Sequence, residues 1–149
     1  YVTSEPYSIE KATGIKPIVN LLADYGYMPY ATTIETSNEL IESKPDLVQR
    51  FINASIEGWY SYLFEDPTPG NNLIKKDNKE MSDDLLFYAH NEIIKRGIVL
   101  SDQSKKESIG TMSEKRWKDF YNLMKAYDLY PDNMDFREAY TMKFIKPSN

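Results

Sequence analysis

Two short stretches near the start of the chain carry side chains suited to meeting a small ligand. Asp24-Tyr25-Gly26-Tyr27-Met28-Pro29-Tyr30 sets three tyrosines around one glycine and one proline. Ser4-Glu5-Pro6-Tyr7 adds a hydroxyl, a carboxylate and a further phenol. Ionised Glu5 and Asp24 only accept hydrogen bonds, and tyrosine rings stack on flat rings or flank a cation. Pro6 disfavours a helical residue before it, so Glu5 is expected to be extended and aimed into a crevice. Ser4, Glu5, Tyr7, Asp24, Tyr25, Tyr27 and Tyr30 are therefore the candidate ligand-facing residues. Two carboxylates repel an anion and favour a ligand with N–H donors or positive charge. The competing reading is plain: two turns, with tyrosines packed as partial core.

Other chemistry finds little support. The six glycines are scattered, without a phosphate-binding loop. No Gly-x-Ser-x-Gly elbow occurs, and the single histidine, His90, reads as a boundary residue on a helix. The absence of cysteine removes disulfides, thiolate zinc sites and a cysteine nucleophile. Asp132-Asn133-Met134-Asp135 lacks the spacing and the bidentate glutamate of a calcium loop and reads as a turn followed by a helix cap. Trp59 and Trp117 fall on apolar helical stripes and read as core. No catalytic residue, metal ligand or cofactor is assigned.

The elements that must position the candidate residues differ along the chain. Residues 1 to 36 read as strands and turns. Tyr1-Val2-Thr3 is a short β-prone run, and Ser8 to Thr13 reads as a short helix ended by Gly14. Ile18-Val19-Asn20-Leu21-Leu22 is apolar in the way of a strand buried on both faces. Ala31 to Thr36 is β-branched and reads as another strand. Open α/β sheets bind ligands beyond their strand ends, where both candidate stretches fall.

From residue 37 onward helix signals dominate. Ser37 caps a short helix to Ile41. A long one follows Ser43, with Leu47, Val48, Phe51, Ile52, Trp59, Tyr62 and Leu63 on one face, closed by Pro67 and Pro69. Gly58 inside it allows close packing against a neighbour. Asn71 to Lys76, Ser82 to Arg96, a Ser113-capped stripe to Tyr127 and an Asp135-capped Phe136 to Tyr140 complete the series, with a frayed tail at 146–149. The pairs Lys75-Lys76 and Lys105-Lys106 read as solvated faces. The fold class is α/β, with few parallel strands and many covering helices.

Composition bounds the partners. The chain has 149 residues, 23 acidic against 18 basic, and a net charge of −5. That suits one domain with a core, and it opposes nucleic-acid binding, which needs a Lys/Arg surplus. No apolar run reaches the roughly 20 residues of a membrane helix. The chain opens at Tyr1 in what reads as a strand, which favours a piece of something longer.

Tyr1 to Tyr7, Leu21 to Tyr27, Thr32-Thr33-Ile34 and Ser43 to Phe51, followed by Asn72 to Asn78 and Met81 to Gly97, together resemble the second half of a bacterial solute-binding protein. The class feeds ABC importers for nitrate, sulfonates, taurine and thiamine pyrimidine precursors, and it is similar to pyrimidine-precursor synthases. The resemblance implies a partial periplasmic-binding-protein-like sandwich. Residues 1–30 would be the remnant of the second, ligand-binding lobe and its hinge crossing, and 31–149 the helical C-terminal part of the first lobe. It implies no cofactor and a periplasmic or lipoprotein-anchored location. The implied partners are a small nitrogenous or heteroaromatic ligand, an ABC transporter permease, and either the missing N-terminal half or a swapped second copy. A synthase-like enzyme and a ligand-free interaction domain are the alternatives. The synthases use a cysteine-rich segment and a reactive histidine, which this chain does not match.

Overall fold

A computed structural model of the protein describes residues 1–100 and 108–145. Lys105-Lys106 and the tail 146–149 lie outside the described residues. Among the described residues six α-helices dominate: α1 Glu5–Thr13, α2 Asn38–Ser43, α3 Pro45–Phe64, α4 Thr68–Asp77, α5 Asp83–Arg96 and α6 Glu114–Ala126. Tight 3-10 turns cover Leu22–Tyr25 and Phe136–Ala139.

The expected parallel strands do not form. Among the described residues the only β pairing is one antiparallel bridge, Leu100 with Ile109. Tyr1-Val2-Thr3 turns directly into α1, with the Ser4 and Glu5 amides donating to the Tyr1 carbonyl. The 18–22 run is exposed: Ile18 is 91% and Leu22 68% accessible. β-Branched and apolar residues fit a pleated surface only when a neighbouring strand supplies that surface, and none does so among the described residues. In the 31–36 run Thr32 has φ 55°, a left-handed conformation that interrupts any extended strand. The α/β expectation is therefore corrected to a mostly helical architecture, without a sheet among the described residues.

The helices follow their sequence signals closely. Ser37, Ser82 and Ser113 accept from the amides of Leu40, Leu85 and Arg116, each meeting an N-terminal donor that has no partner within the helix. Gly14 and Gly97 end α1 and α5 with φ of 71° and 63°, the left-handed geometry that glycine adopts without a Cβ clash. α1 begins at Glu5, three residues before the expected Ser8, with Pro6 in its first turn, where a missing N–H costs nothing. Glu5 is thus helical rather than extended. Pro67 and Pro69 flank the start of α4 as well as closing α3, so α4 begins at Thr68 rather than Asn71. Leu47, Phe51 and Trp59, expected on the buried face of α3, are exposed, Phe51 by 60%. Tyr127 falls just beyond α6 as its C-cap and is exposed.

The chain divides into two compact units. The first comprises Tyr1–Val19 and Ala54–Gly110, and α3 contributes its C-terminal part. Leu63, Leu86 and Ile109 form its buried apolar centre. α1 packs on α5, joined by Tyr7 against Tyr88 with centroids 5.3 Å apart and by Lys11 Nζ to Asp84 at 3.3 Å. Tyr62 is a second anchor. Its hydroxyl donates to Asn71 Oδ1 at 2.9 Å, and its ring meets Trp59 and His90 edge-on.

The second unit comprises Asn20–Asn53 and Thr111–Asn149, with Val48, Tyr121, Met124, Phe136 and Phe144 buried. α6 packs on the Phe136–Ala139 turn. Gln49 Nε2 donates to the Phe144 carbonyl at 2.8 Å and ties α3 to the segment after that turn.

Gly58 does not serve close packing, because a Cβ placed there meets nothing within 4 Å. Gly70 does: a Cβ there lies 2.9 Å from Tyr62 Cδ2 and 3.3 Å from Cε2. The Tyr62 ring is held by Asn71 and His90, so it has little room to retreat. Gly58→Ala is expected to raise stability by about 1 kcal/mol through helix propensity alone. Gly70→Ala gains the same propensity but overpacks, and is expected to lower stability by about 1 kcal/mol or more. Urea denaturation of the two variants beside the parent protein decides this, and a stabilised Gly70→Ala would show that the Tyr62 ring yields freely.

Candidate functional site

The seven candidate residues fall into two groups, one in each unit. Ser4, Glu5 and Tyr7 belong to the first. The Glu5 carboxylate accepts from the Tyr1 amino group and from Ser4 Oγ, the latter at 2.5 Å. The amino group, then the Ser4 hydroxyl, hold its pKa down to about 2. Tyr7 leans its ring on Tyr88, and its hydroxyl accepts from Lys11 Nζ at 3.1 Å. That hydroxyl, with Asp84 behind it, holds the Lys11 ammonium above the usual lysine range. These side chains serve local α1 and α5 contacts.

Asp24, Tyr25, Tyr27 and Tyr30 belong to the second unit. Asp24 and Tyr25 sit in the 3-10 turn that Gly26 ends with φ 91°. The Asp24 carboxylate is exposed and has no partner among the described residues, and Tyr25 is 76% exposed. Tyr27 sets its ring edge-on to Phe120, centroids 5.8 Å apart. Tyr30 lies 5.6 Å from Trp117. The Tyr30 hydroxyl accepts from the Ser113 amide at 2.8 Å, at the N-terminal end of α6. The loop therefore presents Asp24 and Tyr25 to solvent while Tyr27 and Tyr30 fasten it to α6.

Arg116 completes the fastening. Nε donates to the Met28 carbonyl at 2.9 Å and Nη2 to the Pro29 carbonyl at 2.8 Å. The guanidinium lies 4.2 Å from the Tyr30 ring centroid, within cation–π range. A planar fork meets two successive carbonyls and a ring face together, which an ammonium does not.

The sequence reading placed Trp117 in the core. In the structure it also walls an open cavity of about 430 Å³ in the second unit, together with Phe120, Tyr130, Phe136, Asp135 and Glu138. Trp117 stacks on Tyr140, with rings 6° from parallel and centroids 5.0 Å apart. Its Nε1–H is buried without a hydrogen-bond partner among the described residues, an uncommon state for an indole in the interior. The signal for this cavity was present in the α6 stripe: an apolar face carrying Trp117, Phe120 and Tyr121 also suits a ligand wall. Asp135 caps the following turn by accepting from the Arg137 amide at 3.0 Å, as its sequence position implied.

His90 is structural. Nε2 lies 2.7 Å from the Tyr62 carbonyl, near the C-terminal end of α3. A carbonyl only accepts, so Nε2 carries the proton. Among the described residues no group of three or more His, Asp or Glu side chains is arranged to hold a metal ion. None of the described helices is long and apolar enough to cross a membrane.

Arg116→Ala is expected to cost about 1 to 3 kcal/mol, from two charge-assisted hydrogen bonds, and to raise hydrogen exchange at the amides of Gly26, Tyr27, Met28, Tyr30 and Ser113. Arg116→Lys is expected to recover little of this. Unchanged exchange in both variants would show that the tyrosine contacts hold the loop without the guanidinium.

Comparison with known proteins gives one positive finding. A family model described as NMT1/THI5 like matches residues 1–69, a stretch containing all seven candidate residues. The further segments 72–78 and 81–97, which also resemble that class, lie beyond the match. No curated protein and no solved structure matches the chain. Over its first 69 residues, then, the chain is similar to the NMT1/THI5 like family, whose character is solute binding or thiamine pyrimidine synthesis.

Proposed function

We propose that this chain takes part in binding a small nitrogenous or heteroaromatic solute, such as a thiamine pyrimidine precursor, outside the cytoplasm, for delivery to an ABC transporter permease. The observation that carries the reading is the NMT1/THI5 like match across residues 1–69. The Asp24–Tyr30 loop supports it chemically. Asp24 offers a carboxylate without a partner among the described residues, for ring or amino N–H donors, and Tyr25 offers an exposed ring for a flat ligand. A binding role is favoured over synthase chemistry because the chain has no cysteine and its one histidine is engaged with a main-chain carbonyl.

Calorimetric titration of the chain with an aminopyrimidine, a polyamine, taurine and nitrate tests the ligand class. The aminopyrimidine is expected to bind, with Asp24→Asn and Tyr25→Ala each weakening it roughly tenfold, about 1.4 kcal/mol. Preference for nitrate or taurine would overturn the assignment.

The exposed Ile15, Ile18 and Leu22 side chains support a further part of the proposal, that this run is covered by a second copy or by an N-terminal half of a longer protein. Sedimentation of the chain is expected to show concentration-dependent association that Ile18→Lys reduces. A monomer at high concentration would contradict it.

A further inference from the structure

We propose that the cavity walled by Trp117, Phe120, Tyr130 and Phe136 binds a small organic cation of the alkylated ammonium type. Neither Asp24 nor Tyr25 lines this cavity, and the proposal does not depend on the ligand proposed for the loop.

The size and the lining both fit. About 430 Å³ is within the range of small-molecule sites. The walls are mainly aromatic, and no lysine, arginine or histidine lines the cavity. Aromatic faces attract cations, and a cation whose charge is wrapped in methyl groups gives up little hydration on meeting them. Two such contacts already exist on rings that line this cavity. Lys125 Nζ lies 5.4 Å from the Tyr121 centroid, and Arg137 Cζ lies 4.9 Å from that of Phe136.

Charge at the rim then selects the ligand. Lys125 pairs with Asp132 at 2.9 Å and Arg137 with Glu114 at 2.7 Å. Asp135 is engaged by the Arg137 amide at 3.0 Å and lies 3.7 Å from Nη1 of the same residue. Glu138, also on the lining, has no side-chain partner among the described residues. The cations beside the cavity are thus neutralised, while one carboxylate at its edge is not. An anion would meet that charge unfavourably, and a neutral molecule would leave it without a complement. A bare metal ion would lack ligands, because no metal-holding group of side chains exists among the described residues.

The test uses choline as the cation and 3,3-dimethyl-1-butanol as its neutral isostere. The chain has two tryptophans, so an ¹⁵N correlation spectrum has two indole signals, assigned with Trp59→Phe. Choline is expected to move the Trp117 signal and leave that of Trp59 in place. The isostere is expected to act at least about tenfold more weakly. Glu138→Gln, an exposed position that leaves the fold intact, and Tyr130→Leu, which keeps apolar volume but removes a ring, are each expected to raise the choline Kd roughly tenfold. Asp24→Asn is expected to leave it unchanged, which separates this site from the loop. The proposal is overturned by equal responses to choline and isostere, by no Trp117 shift at millimolar choline, or by an unaltered Kd in Glu138→Gln.

Discussion

Every backbone carbonyl and amide removed from water needs a partner, and in this chain much of the irregular backbone finds it in side chains rather than in a sheet. Arg116 meets Met28 and Pro29, Gln49 meets Phe144, and Tyr121 meets Pro131. In the other unit Tyr88 donates to Val2. The reverse also occurs, with the Tyr30 hydroxyl accepting from the Ser113 amide. These bonds fix loops onto helices where a β ladder would otherwise fix strands onto strands. A ladder distributes the constraint over many backbone pairs, whereas here single side chains hold whole segments.

That constraint explains which parts of the fold are legible from sequence. Helix signals are local: a serine cap, a 3.6-residue period and a terminal glycine all act within one element. Ser37, Ser82, Ser113 and Gly97 accordingly mark their helix ends to within about a residue. Strand signals are not local, because β propensity describes fitness for a pleated surface that other strands must provide. Ile18 to Leu22 carries the composition of a buried strand, yet among the described residues it has no strand beside it and remains exposed. The period also overstates burial on α3. Leu47, Phe51 and Trp59 lie on its apolar face, but a helix in a small unit has only part of that face covered.

The candidate residues were legible as types but not as roles. Tyrosines between turns suit packing or ligand contact, and in this loop two of them pack while Tyr25 stays exposed. Tyr27 and Tyr30 anchor to Phe120 and Trp117, while Asp24 and Tyr25 face solvent. No spacing rule distinguishes these roles, since the choice depends on Arg116, more than eighty residues away in sequence. Ser4, Glu5 and Tyr7 make contacts within α1, to the Tyr1 amino group and to Tyr88 of α5, with Pro6 as a first-turn residue. Trp117 was readable as buried. That the same ring also borders a cavity depends on where the Phe136–Ala139 turn comes to lie against α6.

The aromatic residues of the second unit therefore carry two loads at once. Trp117 supports Tyr30 and Tyr140 and also forms a cavity wall. Phe120 likewise supports Tyr27 and Tyr130 while lining the same space. Packed interiors transmit displacement rather than absorb it, so a molecule that shifts Trp117 or Phe120 also shifts the rings anchoring the Asp24–Tyr30 loop. The unpaired indole N–H of Trp117 fits this arrangement: its ring is positioned by stacking alone, with no hydrogen bond to pin it. The loop and the cavity share two side chains of α6, so both are built on one packed aromatic cluster.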